Sequence, residues 1–389
     1  MAVTSRPLAP RGRVATPSRS RAPRLRSRVL AVLGLPVVLA ALLAGCGSVG
    51  AGTSEAAAVA PSRPLSELEP VDDPRSWVGE STAVLAAEPI EPVTTDAQPD
   101  LPVTLTDAQG TEVTVTDTSR ILALDLYGTT SRIAFELGLG DQVVGRDTSS
   151  TFAEIADEPL VTANGHELSA EAILELAPTV IITDTTLGPW DVVLQMRDAG
   201  IPVVVVDSHR SLETVGPLVQ QVADALGVSA QGTELAERVE GEIAATRAQI
   251  DEIVPADEEG RLRMVFLYVR GQAGVYYMFG SGSGADSLIT SLGGVDVATE
   301  IGWDGMRPVN DEGLVAAQPD LVLVMTKGLE SVGGVDGLLE QLPALAQTPA
   351  GEHRRVVDMA DSSILSYGPD TARVLDALAG AVYAPEATP

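Results

Sequence analysis

The fold is indicated by residues 162–184, which read TANGHELSAEAILELAPTVIITD, and by one later stretch that repeats their pattern. The second copy covers residues 306–324 and reads MRPVNDEGLVAAQPDLVLV, with matched positions 141 residues apart. In each copy a helix N-cap residue, Ser169 or Asn310, is followed by a glutamate, an apolar helix face, a proline and a buried strand. Two such units predict an α/β protein with two lobes and a ligand cleft between them.

The composition is that of a globular protein with room for two domains. The chain has 389 residues and is 45% hydrophobic, which is enough for two cores of ordinary size. Its formal net charge is −29, although residues 1–45 contain eight arginines and no Asp or Glu. So acidic a body repels phosphate groups, which argues against nucleic acid as a partner.

The basic N-terminus is typical of an export signal. Its arginines precede an apolar run over residues 29–44, and the run ends in Leu-Ala-Gly-Cys at Cys46, the one cysteine of the chain. That tetrapeptide resembles a bacterial lipobox, whose cysteine is lipidated. The alternative is a transmembrane anchor with an incidental cysteine, but the run is short for a membrane span. We therefore expect residues 1–45 to be a signal peptide and Cys46 to carry a lipid on the outer face of the cytoplasmic membrane.

The rest of the chain divides into a tether, two lobes and a linking helix. Residues 46–100 are rich in small, proline and acidic residues without a periodic pattern, which predicts a disordered tether after the lipidated cysteine. We expect residues 101–228 to form the N-terminal lobe and residues 255–389 the C-terminal lobe. Between them, residues 229–254 contain no proline and carry apolar residues at helical spacing. This pattern predicts one long, rigid connecting helix.

Three polar residues are candidates for ligand chemistry. His166 lies in a loop just before a predicted helix, although an isolated loop histidine usually has no special role. Tyr268 and Arg270 end a predicted strand two residues apart, so their side chains leave it on the same face. A neighbouring arginine favours a phenolate, but a tyrosine packed on the core beside a solvated arginine would give the same pattern. Tyr268 also follows Tyr127 by 141 residues, the offset of the two repeats.

From about residue 101 onward the chain resembles the metal-chelate class of ABC-importer substrate-binding proteins. The resemblance rests on Asn164-Gly165-His166, on Tyr268-Val269-Arg270 and on residues 325–334, which read MTKGLESVGG. Within that class the chain is similar to the haem-binding lipoproteins of Gram-positive haem importers. The resemblance implies two α/β lobes joined by a single rigid helix, with one ferric haem in the cleft.

The resemblance also implies roles for individual residues. His166 and Tyr268 would be the axial ligands of the haem iron, one from each lobe, and Arg270 would steady the phenolate by a hydrogen bond. Ferric iron is hard and suits a phenolate oxygen with an imidazole nitrogen. Met325 would lie near the haem face, although a methionine at a strand end is usually a packing residue.

Further residues have expected roles at the rim of the cleft. Glu171 and Glu312 would each dock one lobe on arginines of the permease, although acidic residues at a helix start are also favoured by the helix dipole. Four residues are candidates for contacts with the haem propionates or the cleft wall, of which the two aromatic ones could equally pack in a core. They are Lys327, Arg307, Tyr127 and Trp303.

Other functions remain open from the residues alone. A ferric-siderophore or cobalamin receptor of the same fold would need no axial His and Tyr, and siderophores usually need more cleft arginines. A hydrolase is disfavoured because residues 280–284, GSGSG, have glycine where a nucleophile elbow has serine. A haem oxidase would lose its open iron position to two protein ligands, and a structural module would leave the matched units unexplained. We therefore expect a monomeric, extracytoplasmic haem-binding protein, not an enzyme, that delivers haem to an ABC importer permease.

Overall fold

The computed structural model describes residues 60–387 of the chain. The expected signal peptide over residues 1–45, the lipidation at Cys46 and the first part of the tether, residues 47–59, lie outside the described residues. Within the part of the chain that is described, no helix has both the length and the apolar character needed to cross a membrane.

Residues 60–387 contain fourteen β-strands and twelve α-helices, numbered here in chain order. The strands are β1 Ser81–Ala83, β2 Val103–Thr106, β3 Glu112–Val115, β4 Ile121–Leu124, β5 Thr162–Ala163, β6 Glu167–Leu168, β7 Val180–Thr183, β8 Val203–Val205, β9 Arg263–Arg270, β10 Val275–Phe279, β11 Val295–Asp296, β12 Met306–Pro308, β13 Leu321–Met325 and β14 Val356–Met359. The helices are α1 Thr129–Ala134, α2 Ala170–Glu175, α3 Trp190–Asp198, α4 Val215–Ala225, α5 Ser229–Ile253, α6 Ala285–Ser291, α7 Val297–Glu300, α8 Asp311–Ala317, α9 Thr326–Ser331, α10 Gly334–Gln341, α11 Pro349–Glu352 and α12 Thr371–Tyr383.

Two sheets form the centres of the two lobes. The N-terminal lobe has a parallel sheet with the order β4-β7-β8. The C-terminal lobe has the order β1-β14-β13-β9-β10-β12, with β11 also beside β9, and its strands β9, β13 and β14 are parallel. In each lobe the strand of the repeated unit, β7 or β13, lies between an earlier and a later parallel strand. The predicted α/β architecture with two lobes of one design is thereby confirmed.

The two copies of the repeat have the predicted local structure. The side chains of Ser169 and Asn310 each accept a hydrogen bond from the backbone N–H three residues later, so both are helix N-caps. Directly before the two prolines, Ala177 and Gln318 have φ values of 45° and 44°. This left-handed conformation is uncommon for residues with a side chain. Its recurrence at matched positions shows that both copies turn from helix to strand in the same way.

Helix α5 connects the two lobes. It covers Ser229–Ile253, where the sequence predicts a helix over residues 229–254. Its buried side chains include Leu235, Val239, Ile243 and Ile250, and they recur at helical spacing. The helix packs against α4 of the N-terminal lobe and α12 of the C-terminal lobe. It is therefore supported along its length by both lobes.

The expected disordered tether over residues 46–100 is wrong for residues 60–100. Strand β1 pairs in parallel with β14, and Leu65 and Ala83 are buried in the main core. Farther along, the Val93 N–H donates to the Glu136 carbonyl in the N-terminal lobe at 2.9 Å. Residues 84–93 therefore cross from one lobe to the other and add a second connection beside α5. The sequence pattern did not predict the order of residues 60–100, because their few apolar residues are buried singly and form no helical or strand periodicity.

Candidate functional site

The carboxyl ends of the C-terminal strands bring several predicted residues together. Leu267 of β9 pairs with Val324 of β13. The next residues, Tyr268 and Met325, are therefore neighbours on the face of the sheet that carries the main core. On the other side of Tyr268, strand β10 contributes Tyr277. Ligands of open α/β sheets bind beyond the carboxyl ends of the parallel strands, and these side chains lie at that edge.

Arg270 is held over Tyr268 by a carboxylate. Its guanidinium carbon lies 4.5 Å from the centre of the Tyr268 ring. Its Nη2 donates to Asp361 Oδ2 at 2.7 Å and lies 3.9 Å from Met325 Sδ. Asp361 also accepts the backbone N–H of Lys327 at 3.0 Å. The Arg270 guanidinium therefore lies over the Tyr268 ring, and the expected hydrogen bond to the tyrosine oxygen is not formed. Asp361 holds the guanidinium in this position.

Asp361 is a functional candidate that the sequence did not reveal. It lies shortly after β14, in a segment of turns without a motif, and its partner Arg270 is 91 residues earlier in the chain. Its position directly after the carboxyl end of a core strand was the one available signal. That position follows the same rule that places ligands at this edge of the sheet.

His166 belongs to the N-terminal lobe and is influenced by the charges of this group. It lies in the short connection between β5 and β6, where Gly165 has a φ of 92° that favours glycine. The imidazole is exposed, yet partial burial lowers its pKa, and the positive charges of Arg270 and Lys327 lower it further. The negative charge of Asp361 opposes them. The charged groups that act on His166 all belong to the C-terminal lobe, and they include the arginine that lies over Tyr268.

Three of the predicted site residues have side chains without polar partners among the described residues. Within residues 60–387, the side chains of His166, Tyr268 and Lys327 form no hydrogen bond or ion pair with other residues of the chain. Lys327 is exposed and Tyr268 is half-buried. Met325 is only 7% exposed, so its contact with this region is made through the thioether next to Arg270.

Two other candidates lie apart from Tyr268. Arg307 is exposed and makes a long ion pair with Asp304, at 3.8 Å. Trp303 packs on the opposite face of the C-terminal sheet, and its indole N–H donates to the Met278 carbonyl at 2.9 Å. This placement favours the packing role that the sequence left open for Trp303.

Strand register, and not the sequence offset, decides which residues of the two lobes correspond. From the pairing of β4 with β7 and of β9 with β13, the counterpart of Tyr268 is Asp125 and not Tyr127. Likewise Asp184 is the counterpart of Met325, as the offset predicts. Tyr127 and Tyr268 share the sequence offset of the repeats but not the strand position, because β9 pairs with β13 two residues later than that offset requires.

The corresponding edge of the N-terminal lobe is filled by its own charges. Asp125, Asp147 and Asp184 are fully buried, and Arg210 Nη2 donates to Asp184 at 2.6 Å and to Asp125 at 3.1 Å. Burial, together with the negative charge of Asp125, raises the pKa of Asp147 to about 7 and that of Asp184 to about 6. The Arg210 guanidinium also lies 5.6 Å from the Tyr127 ring. The N-terminal lobe therefore pairs its charged groups with one another at this edge, whereas the C-terminal lobe presents side chains without polar partners among the described residues.

Among the described residues, neither His166 nor Tyr268 lines any of three sizeable cavities at the surface of the lobes. The largest, about 930 Å³, lies beside Arg210 and His209, and a second of about 560 Å³ is bounded by Tyr127 and by residues of the segment 84–93. A third of about 460 Å³ is lined by Arg270 and Lys327. Only the last adjoins the group described above.

Glu171 and Glu312 occupy the same place in the two lobes. Each is the second residue of its helix, α2 or α8, and each is exposed. Neither forms an ion pair with any residue of the described range. The structure therefore leaves two carboxylates at equivalent positions, one on each lobe, available to a partner.

Comparison with known proteins adds sequence and structural relatives. A family model described as periplasmic binding protein matches residues 125–362. The crystal structure of the haem-binding protein HmuT is 43% identical, covers 80% of this chain and 99% of its own, and has a TM-score of 0.75. HmuT variants with an arginine, a tyrosine or a histidine replaced by alanine match as well.

Two further relatives extend the comparison. The periplasmic haem-binding protein RhuT from Roseiflexus sp. RS-1, in its apo form, is 39% identical, covers 70% of this chain and 99% of its own, and has a TM-score of 0.62. YvrC of Bacillus subtilis strain 168, an uncharacterized ABC transporter substrate-binding lipoprotein, is 24% identical over 289 residues, or 72% of this chain and 86% of that protein.

Proposed function

This chain belongs to the periplasmic binding protein family, and from that premise we propose that it captures one ferric haem between its lobes and delivers it to an ABC importer. The observation that carries the proposal is that Arg270, which pairs with Asp361 and lies over Tyr268 in the C-terminal lobe, acts electrostatically on His166 of the N-terminal lobe. The haem-binding descriptions of HmuT and RhuT, both similar to most of this chain, support it.

The side chains at the cleft suit a ferric porphyrin. A neutral imidazole and a phenolate are both established haem ligands. The lowered pKa of His166 favours the neutral imidazole that binds a metal. The positive charge of Arg270 offsets the negative charge that a phenolate at Tyr268 brings into the cleft. One ligand from each lobe would hold the haem across the cleft, with Met325 beside the tyrosine.

The propionates of haem need cationic partners. Lys327 is exposed, has no ion pair among the described residues, and lies in the cavity shared with Arg270. Arg307 is a weaker candidate because Asp304 already lies near its guanidinium. Tyr127 lines a different cavity between the lobes, so we assign it no direct contact with the haem.

We further infer that the protein acts outside the cell membrane as a monomeric, lipid-anchored binding protein without catalytic activity. The signal-like residues 1–45, the lipobox-like sequence at Cys46 and the lipoprotein description of YvrC support this location. Glu171 and Glu312 would engage the permease, one from each lobe.

The test is a titration of hemin into the purified protein without its signal peptide. We expect a Soret band for one haem per chain, which shifts and weakens in His166→Ala and in Tyr268→Phe. His209→Ala, at an exposed histidine of the N-terminal lobe, and Tyr276→Phe, on the opposite sheet face, serve as controls that keep the parent spectrum.

The outcomes test two things separately: whether haem is the bound molecule, and whether His166 and Tyr268 bind its iron. If His166→Ala and Tyr268→Phe both bind hemin with the parent spectrum and affinity, the axial assignment is wrong. If the parent protein binds a ferric siderophore or cobalamin and gives no Soret band with hemin, it is a receptor for that ligand, and the haem proposal fails.

A further inference from the structure

Each repeated helix exposes an aliphatic side chain beside its glutamate. In α2, Leu174 follows Glu171 by three positions, and in α8 Val315 follows Glu312 by three positions. Residues three apart share one face of a helix. Leu174 is 41% exposed and Val315 is 49% exposed. Each lobe therefore presents a carboxylate and an apolar side chain together.

The matched placement distinguishes this pair from scattered surface residues. Single exposed apolar side chains are common and need no explanation. Within residues 60–387, six large apolar side chains are exposed, and two of the six fall on the same position of the two repeats. The six are Val78, Leu160, Leu174, Leu194, Met306 and Val315.

The charge beside each apolar side chain indicates the chemistry of a partner. Glu171 and Glu312 are exposed and form no ion pair with the described part of the chain. Glu175 and Asp311 add negative charge to the same two helices. A complementary surface must therefore place a cationic group next to an apolar recess.

We propose that the permease holds each lobe through such a composite contact, an inference that rests on the proposed transport function. A cationic side chain of the permease meets Glu171 or Glu312, and an apolar recess receives Leu174 or Val315. Because the two contacts have one design, the partner presents the same site twice, as a two-fold symmetric membrane protein does.

The two halves of the contact have different kinetic roles. Charges at the rim of an interface mainly set the rate of association and its dependence on salt. Apolar side chains that lose water at the interface mainly slow dissociation. Removing one kind of side chain therefore has a different signature from removing the other.

The experiment measures association and dissociation of the haem-loaded protein on its importer, purified and placed in lipid nanodiscs, at several NaCl concentrations. We expect the double variant Leu174→Ser, Val315→Ser to dissociate about tenfold faster with an unchanged salt dependence of association. The double variant Glu171→Gln, Glu312→Gln should associate about tenfold more slowly and lose most of that salt dependence. The control is Leu194→Ser, an exposed leucine on α3, which should behave as the parent protein.

Three outcomes would overturn the composite contact. One is a parent-like dissociation rate in the apolar double variant, and a second is an equal acceleration in Leu194→Ser. The third is a dimer of the parent protein that the apolar double variant abolishes, since the patch would then serve a second copy of this chain. Hemin binding by the parent protein is measured separately, by absorption. If the parent protein does not bind hemin, the proposed transport function fails, and this result is distinct from the three outcomes above.

Discussion

At the scale of single residues, Asp361 organises the C-terminal half of the site. Its two carboxylate oxygens hold the Arg270 guanidinium and the Lys327 backbone N–H. Arg270 in turn covers the Tyr268 ring at 4.5 Å. Asp361 therefore acts through its neighbours, as a positioning residue, and its effect on a ligand should be visible in theirs.

Replacing Asp361 by asparagine should loosen Arg270 and weaken hemin binding about tenfold, because a charge-assisted hydrogen bond is lost. The pKa of His166 should fall, since the negative charge of Asp361 raises it. Absorption titration with hemin and an NMR titration of the histidine measure the two effects. Asp336→Asn, which removes the exposed ion pair with Arg354, is the control. Unchanged hemin affinity and an unchanged pKa of His166 would contradict the positioning role.

The buried carboxyl groups of the N-terminal lobe should make stability depend on pH. Burial raises the pKa of Asp147 to about 7 and of Asp184 to about 6, so the folded protein binds protons more tightly than the unfolded chain. This stabilisation is complete at acidic pH, below the unfolded pKa values, and is lost as the pH rises through about 6 to 7.

We therefore expect the free energy of unfolding in urea to fall between about pH 4, near the unfolded pKa of these groups, and about pH 7, by up to about 1.4 kcal/mol per pH unit for each group. Asp147→Asn, which cannot titrate, should show a smaller decrease over the same range. A decrease as steep in Asp147→Asn as in the parent protein would exclude Asp147 as a source of the effect.

At the scale of elements, the repeated helix–strand unit is the part of the fold that recurs. Both copies begin with a side chain that caps the helix, and both turn into the next strand at a left-handed residue before proline. In both sheets the strand of the unit lies between an earlier and a later parallel strand, but the residues at the carboxyl edge differ. The repeat therefore supplies the same scaffold and a matched exposed glutamate to both lobes, while the polar residues at the carboxyl edges of the sheets differ.

Removing the caps should destabilise each unit by a similar amount. Ser169→Ala and Asn310→Ala should each lower the free energy of unfolding by about 1 kcal/mol, because one helix N–H loses its partner. The caps lie in different lobes, so the effects should add in the double variant. Urea unfolding measures both, and a double variant as stable as the parent protein would show that these caps contribute nothing.

At the scale of the whole molecule, residues 60–100 complete both lobes. In the C-terminal lobe, β1 covers the edge of β14, and Ser81 Oγ accepts a hydrogen bond at 2.9 Å from Arg355, which is only 1% exposed. Two segments, α5 and residues 84–93, connect the lobes. Because both connections are packed against the lobes, we expect the cleft to bind its ligand without a large hinge movement.

A protein that begins at residue 101 should be markedly less stable than one that begins at residue 60. It loses β1, the buried Leu65 and the Ser81 partner of Arg355, so a buried guanidinium group is left short of hydrogen bonds. We expect the melting temperature to fall by about 10 °C, as a loss of several kcal/mol produces in a body of this size. Equal melting temperatures of the two proteins would show that residues 60–100 are dispensable for the fold.

The sequence by itself determined the features that depend on neighbours along the chain. The helix over residues 229–254 and the two helix–strand units were predicted because apolar spacing, caps and prolines act within a few residues of each other. The same local patterns located Tyr268 and Arg270 on one strand face. The resemblance to a known family then singled out His166 and Met325 as candidates for contact with a ligand. Neither residue stands out from its neighbours by structure alone.

Only the tertiary structure decided the relations between residues far apart in the chain. Strand pairing assigned Asp125, and not Tyr127, as the counterpart of Tyr268. The ion pair with Asp361 set Arg270 over the ring, and the contacts of β1 turned a predicted tether into part of a sheet. Each of these depends on contacts across at least 50 residues of chain, which no local pattern encodes. Such long-range contacts form only when the chain buries the apolar faces of both lobes and pairs their strands at the same time.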